Sequence, residues 1–236
     1  MRRPRAGRWV GRLLMLCGVL LLADVACTVV WQEPIGALND ARHADAARAE
    51  LRALTAAPSA AAQRGLHGAL RVAADAGQLR RAAEPATAVG EIEIPRLRLH
   101  HVLFNGSSSA SLARGPGLYD GSPFPGEVGT VAVAGHRTTH GAPFANIDRL
   151  RRGDRITLVM PYGRLTYVVR STRIVAPDDV GVLRAARGDR RLVLSACHPR
   201  FSAAQRFIVV ATPLDSRPLA AENGRGTLRQ ARYTTI

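Results

Sequence analysis

Leu192-Val193-Leu194-Ser195-Ala196-Cys197-His198-Pro199 and, after a short polar loop, Gln205-Arg206-Phe207-Ile208-Val209-Val210 are two apolar runs of strand length. Rich in β-branched and aliphatic residues and joined by so short a loop, they predict adjacent antiparallel strands at Arg191–Ala196 and Arg206–Thr212. A cysteine closes the first strand and an arginine opens the second. In such a pair the two side chains can face each other at one rim of a sheet, held by a rigid scaffold yet open to a substrate.

Upstream the same pattern recurs. Gly129–Ala134 predicts a buried strand, and its continuation Gly135-His136-Arg137 presents a histidine just past the strand end. Glu91–Pro95, Leu99–Phe104, Arg155–Met160 and Arg164–Val175 also read as strands, with short helices near Ser108–Arg114 and Phe144–Leu150 and a helical turn at Asp178–Arg184. Seven or eight short strands separated by turn residues predict a mainly β domain, a closed or nearly closed barrel. With 22 glycines, 14 prolines and only 5% aromatic residues, the composition fits that reading better than a helical bundle.

The flanks differ in character. Residues 1–12 are basic, and an apolar run from Leu13 to Trp31 follows, close to the roughly 20 residues that cross a bilayer as a helix. The positive-inside rule puts residues 1–12 in the cytoplasm and the rest outside. A cleavable signal peptide with its apolar region at Leu13–Leu22 competes with this, but no small-x-small site follows, so an uncleaved signal anchor is favoured. Residues 32–88, rich in alanine and arginine, predict a stalk with helices at Asn39–Leu54 and Ala61–Ala83 that bury little surface. The domain proper spans 89–215, and the polar tail 216–236 is expected to be disordered.

All 33 basic residues are arginine, and the formal charge is +15. They are spread along the chain without a recognisable nucleic-acid module, so no nucleic-acid partner is expected. Cys17 and Cys27 lie in the apolar run, which leaves Cys197 as the lone cysteine of the exported part, where a stray thiol is a liability.

Cys197, His136 and Arg206 together suffice for acyl transfer. An ordinary cysteine, pKa about 8.5, is only a few per cent thiolate at neutral pH, and nearby imidazole and guanidinium groups enrich it. A fixed guanidinium can stabilise the oxyanion formed on a carbonyl, and a histidine can protonate the leaving amine and deprotonate the incoming one. Singly, each residue has a plainer role: a small core hydrophobe, a strand cap and a surface ion-pair partner. His136, His140, Cys197 and His198 could also be arranged around zinc, but Gly141 and Pro143 oppose the helix that would align the two histidines, and no metal or cofactor is expected. Ser195 lacks the strand-turn-helix elbow of a serine nucleophile.

On Gly135-His136, Val193-Leu194-Ser195-Ala196-Cys197 and Arg206 the chain resembles the sortases, whose pattern is Gly-His, a Thr-Leu-x-Thr-Cys strand and an arginine opening the next strand. Gly135-His136-Arg137-Thr138-Thr139-His140-Gly141-Ala142-Pro143-Phe144 and Cys197-His198-Pro199 are most similar to class E sortases of high-GC Gram-positive bacteria. The resemblance, from about Gly90 to Pro213, implies an eight-stranded barrel and a catalytic set of His136, Cys197 and Arg206. It also implies substrate-groove positions at Ala134, Ser195, Ala196 and Ile208. The implied reaction cleaves the Thr–Gly bond of an LPxTG- or LAxTG-type sorting signal of a surface protein through a thioacyl-enzyme. The acyl group then passes to an amine of a cell-wall precursor or pilin. Both family threonines are absent, replaced by Val193 and Ala196, and His140 stands where class E members usually carry tyrosine. An extracellular cell-wall cysteine peptidase and a catalytically idle membrane-tethered binding protein are the alternative functions.

Overall fold

The computed structural model describes residues 5–31, 45–54, 65–184 and 188–218. Eight strands are present: β1 (Ala88–Ile94), β2 (Leu99–Phe104), β3 (Gly117–Leu118), β4 (Gly129–Ala134), β5 (Arg155–Met160), β6 (Gly163–Val175), β7 (Arg190–His198) and β8 (Gln205–Pro218). They close into a barrel, as the run of short strands between turns predicted, in the order β1-β2-β3-β4-β7-β8-β6-β5. β4 and β7 run parallel, and β7 and β8 antiparallel, so the ends of β4 and β7 and the start of β8 share one rim.

Strand alternation divides the side chains between two faces. Val131 and Val133 of β4, Leu192, Leu194 and Ala196 of β7, and Phe207, Val209 and Ala211 of β8 join the interior cluster. The other parity, including Val193 and Ile208, faces outward, where both pack with Val182 from the β6–β7 connection.

Two elements depart from the sequence reading. β3 has two residues, Gly117 and Leu118, in a stretch where no strand was expected, too short for any periodicity to announce it. β8 continues past Thr212 to Pro218, into the segment expected as tail, because β6 offers it a partner as far as Gly163. Residues 219–236, the rest of that tail, lie outside the described residues.

Four helices are described: α1 (Arg5–Trp31), α2 (residues 45–54), α3 (Gly68–Ala82) and α4 (Ser109–Arg114). Ser108 caps α4, its hydroxyl accepting from the Ser111 amide at 3.2 Å. α2 and α3 bury more than the sequence suggested. Val72 and Ala76 of α3 belong to the barrel interior cluster, and Ala47 and Leu51 of α2 pack with Ala88, Val102 and Phe104. Small alanines, read as too slight to bury surface, let each helix axis approach the strands closely. Residues 39–44 and 61–64 of the expected helices lie outside the described residues.

In α1 the apolar side chains from Trp9 to Val25 stand exposed, Leu14, Met15 and Leu22 among them. Among the described residues no helix is long and apolar enough to cross a membrane.

Candidate active site

The barrel brings the three reactive side chains to one rim. Cys197 is directly opposite Arg206 in the β7–β8 ladder. Ala134, the last residue of β4, is level with Ser195, and the Gly135 amide donates to the Ser195 carbonyl at 3.1 Å. That bond carries the parallel ladder one residue further and delivers His136 beside the end of β7. All three side chains are half-buried.

Ala134, Ser195 and Ile208 form one row across β4, β7 and β8, a single step down the strands from Cys197 and Arg206. Ala196 is not in that row. It pairs with Phe207, and both belong to the interior cluster, so its methyl group lies on the face opposite Cys197.

The loop after β4 holds His136 from two directions. The Phe144 amide donates to the His136 carbonyl at 2.9 Å, and the Ala142 amide donates to Thr139 at 2.9 Å. Between them His140, Gly141 and Ala142 all have positive φ, at 51°, 68° and 43°. Two of these are not glycine, a costly conformation that tends to persist where function uses it. The turn folds the His140 ring onto His136, with centroids 4.7 Å apart and planes inclined by 24°. Burial pushes the His136 imidazole below its ordinary pKa, and the neighbouring His140 adds to the shift. Gly135 is required by packing, since a Cβ there would run into the Phe144 ring.

Arg206 uses Nη1 to donate to the Ala203 carbonyl at 2.9 Å and the Gln205 carbonyl at 3.1 Å. Its Nε and Nη2 make no hydrogen bond among the described residues, so donors remain for a developing oxyanion.

Residues 92–214, just over half of the chain, match the Sortase domain family model. The chain belongs to the sortase family. It is 32% identical to Sortase D of Bacillus subtilis over 53% of this chain and 64% of that protein. To Sortase SrtE1 of Streptomyces coelicolor it is 30% identical, over 57% of this chain and 43% of that protein. The sortase E structure from Streptomyces avermitilis superposes with a TM-score of 0.54 at 30% identity, covering 60% of this chain and 97% of that one. The chain thus spans less than two thirds of the length of these curated relatives.

Around this sortase site the sequence reading passed over one group. Arg137, directly after His136, is only 3% exposed. Its Nη2 pairs with Asp148 at 2.7 Å, and its Nη1 donates to His198 Nδ1 at 3.0 Å. The His198 nitrogen so engaged is not available to a zinc ion. The signal was present in the sequence, an arginine directly after Gly135-His136 and a histidine directly after Cys197, but no periodicity linked Arg137 to Asp148 or His198.

Proposed function

We propose that this chain is a membrane-anchored cysteine transpeptidase that cleaves the sorting signal of surface proteins and transfers them to an amine. The observation that carries the reading is the Cys197–Arg206 pair of the β7–β8 ladder, with His136 at the end of the neighbouring β4. The Cys197 thiolate attacks the carbonyl carbon of the Thr–Gly bond, and the guanidinium of Arg206 stabilises the resulting oxyanion. His136 gives a proton to the departing glycine amine, leaving a thioester on Cys197. An incoming amine attacks that thioester, His136 takes its proton, and the thiolate is released.

Ala134, Ser195 and Ile208 form the floor along which the signal lies, and the acceptor is an amine of a wall precursor or a pilin. On the strength of the sequence rather than of the described helix, the apolar run Leu13–Trp31 serves as a single-pass signal anchor, with residues 1–12 in the cytoplasm and residues 32–236 outside. Its exposed apolar side chains, with Arg2, Arg3, Arg5, Arg8 and Arg12 at one end, support that topology. Residues 32–87 link the anchor to the catalytic domain, with α2 and α3 packed on the barrel, 88–218 carry the chemistry, and 219–236 continue as a basic tail.

The test incubates the full-length chain in detergent with LPxTG and LAxTG peptides and hydroxylamine. The expected result is a hydroxamate product and an acyl adduct on Cys197 by mass. A folded chain forming neither with any peptide of a sorting-signal library would overturn the reading.

A further inference from the structure

Two of the three catalytic residues that the preceding reading assigns are each followed by one with no role in the chemistry: His136 by Arg137, and Cys197 by His198. These two followers are bonded to each other. Arg137 Nη1 donates to His198 Nδ1 at 3.0 Å and reaches the Cys197 carbonyl at 3.5 Å. Its Nη2 pairs with Asp148 at 2.7 Å, in the 3-10 turn Ile147–Arg149 that follows the His136 loop. The guanidinium carbon lies 5.8 Å from the ring centroid of Phe207 on β8. One buried cation thus touches the loop that carries His136, the strand end that carries Cys197, and the strand that carries Arg206.

Stability alone does not account for it. A buried charge is costly to desolvate, and apolar residues of similar volume commonly serve a core as well or better. Here Nε is also buried with no partner among the described residues. What a guanidinium offers that an apolar or ammonium group does not is a planar fork that binds two acceptors at fixed spacing.

We propose that Arg137 is a positioning residue, a buried clamp that joins Asp148 to His198 and thereby fixes His136 against Cys197. The proposal rests on the reading of His136 and Cys197 as the reacting pair. It acts entirely through them, touching neither substrate nor leaving group.

The test uses the full-length chain in detergent with Arg137→Met, Arg137→Lys, His136→Ala and the double variant His136→Ala/Arg137→Met. Two readouts are taken: kcat and KM with sorting peptide and hydroxylamine, and the pH profile of Cys197 alkylation by iodoacetamide. Both Arg137 variants are expected to lose about 10²-fold in kcat, the scale of a small misplacement of reacting groups. KM should stay within about threefold, since substrate contacts are untouched. The double variant should fall within about twofold of His136→Ala alone, because a residue acting through His136 has nothing left to position. The alkylation midpoint of Cys197 should move in Arg137→Met. Multiplicative losses in the double variant, wild-type kcat in Arg137→Lys, or an unmoved alkylation profile would each overturn the clamp. If Arg137→Met does not fold, Asp148→Asn at the half-exposed end of the clamp carries the same comparisons. A wild-type chain whose Cys197 alkylates with a His136-dependent profile yet cleaves no peptide would sink the transpeptidase reading instead. The clamp would then stand or fall on the alkylation profiles alone.

Discussion

Cys197 and Arg206 are cross-strand partners, yet the Arg206 guanidinium is bonded to the carbonyls of Ala203 and Gln205 in its own loop. The β7–β8 loop therefore stores the arginine against its own backbone through a single nitrogen, with the rest of the fork unengaged. Stabilising an oxyanion requires only that Nε or Nη2 reach the substrate, and the loop bonds can persist while they do.

Arg206→Lys tests that arrangement. A lysine ammonium can replace the loop bonds or meet the oxyanion, but its single nitrogen does not span both. Removing one oxyanion donor costs about 10²–10³ in kcat, and the lysine variant should lie near that range with KM little changed. Steady-state peptide cleavage measures it, and near-wild-type turnover would show that charge alone suffices.

His140 lowers the basicity of His136 by charge repulsion, and its stacked ring excludes water from one face. Removing it relieves both effects, and both act in the same direction. In His140→Ala the His136 pKa should rise toward the ordinary value of about 6.5. NMR titration of the His136 ring reads this directly, and the limb of the kcat/KM profile that reports His136 should shift upward with it. A pKa that stays put or falls would mean that the barrel, rather than His140, sets the imidazole.

Gly135→Ala drives a methyl group into the Phe144 ring, and Phe144 anchors the His136 loop through its amide. Overpacking of this kind costs about 1–3 kcal/mol. Thermal unfolding should register that loss, and kcat should fall because the displaced loop carries His136. A variant with unchanged melting and turnover would show that Phe144 can move freely.

Tyr162 lies at the other end of the barrel, where its hydroxyl donates to the Pro125 carbonyl at 2.7 Å. Burial holds its phenol well above the ordinary pKa, so it remains a neutral donor across the physiological range. Tyr162→Phe leaves that carbonyl without its donor and should cost about 1–3 kcal/mol in denaturant unfolding. Peptide turnover should stay within about twofold, because the catalytic rim is at the opposite end.

The strands were legible where apolar and polar residues alternate, as in β6, and where apolar runs have strand length, as in β4 and β7, and the Cys197–Arg206 pairing followed from a short loop between two such apolar runs. β3 was not legible, because Gly117 and Leu118 are held by Ala134 and Val133 of β4 rather than by any pattern of their own. Motif matching placed Ala196 beside the substrate, but strand parity turns its side chain inward with Phe207. Parity along β7 could have shown this in advance, since Leu192, Leu194 and Ala196 alternate with Val193, Ser195 and Cys197. The association of Arg137 with Asp148 and His198 was invisible for another reason. It depends on how a loop folds back over the barrel rim, and no local pattern encodes that path.

His136 and Cys197 reach the same rim because β4 and β7 are parallel neighbours, and parallel neighbours need a long crossover between them. Everything from Gly135 to Asp189 intervenes, including the whole β5–β6 hairpin. Until that excursion is complete, the strand end that bears Cys197 has Arg206 opposite it across the β7–β8 hairpin but no His136 beside it. The three candidate side chains therefore share a rim only once β7 has docked beside β4. On the proposed reading, a nascent or half-threaded chain carries the thiol without the histidine that acyl transfer would need beside it.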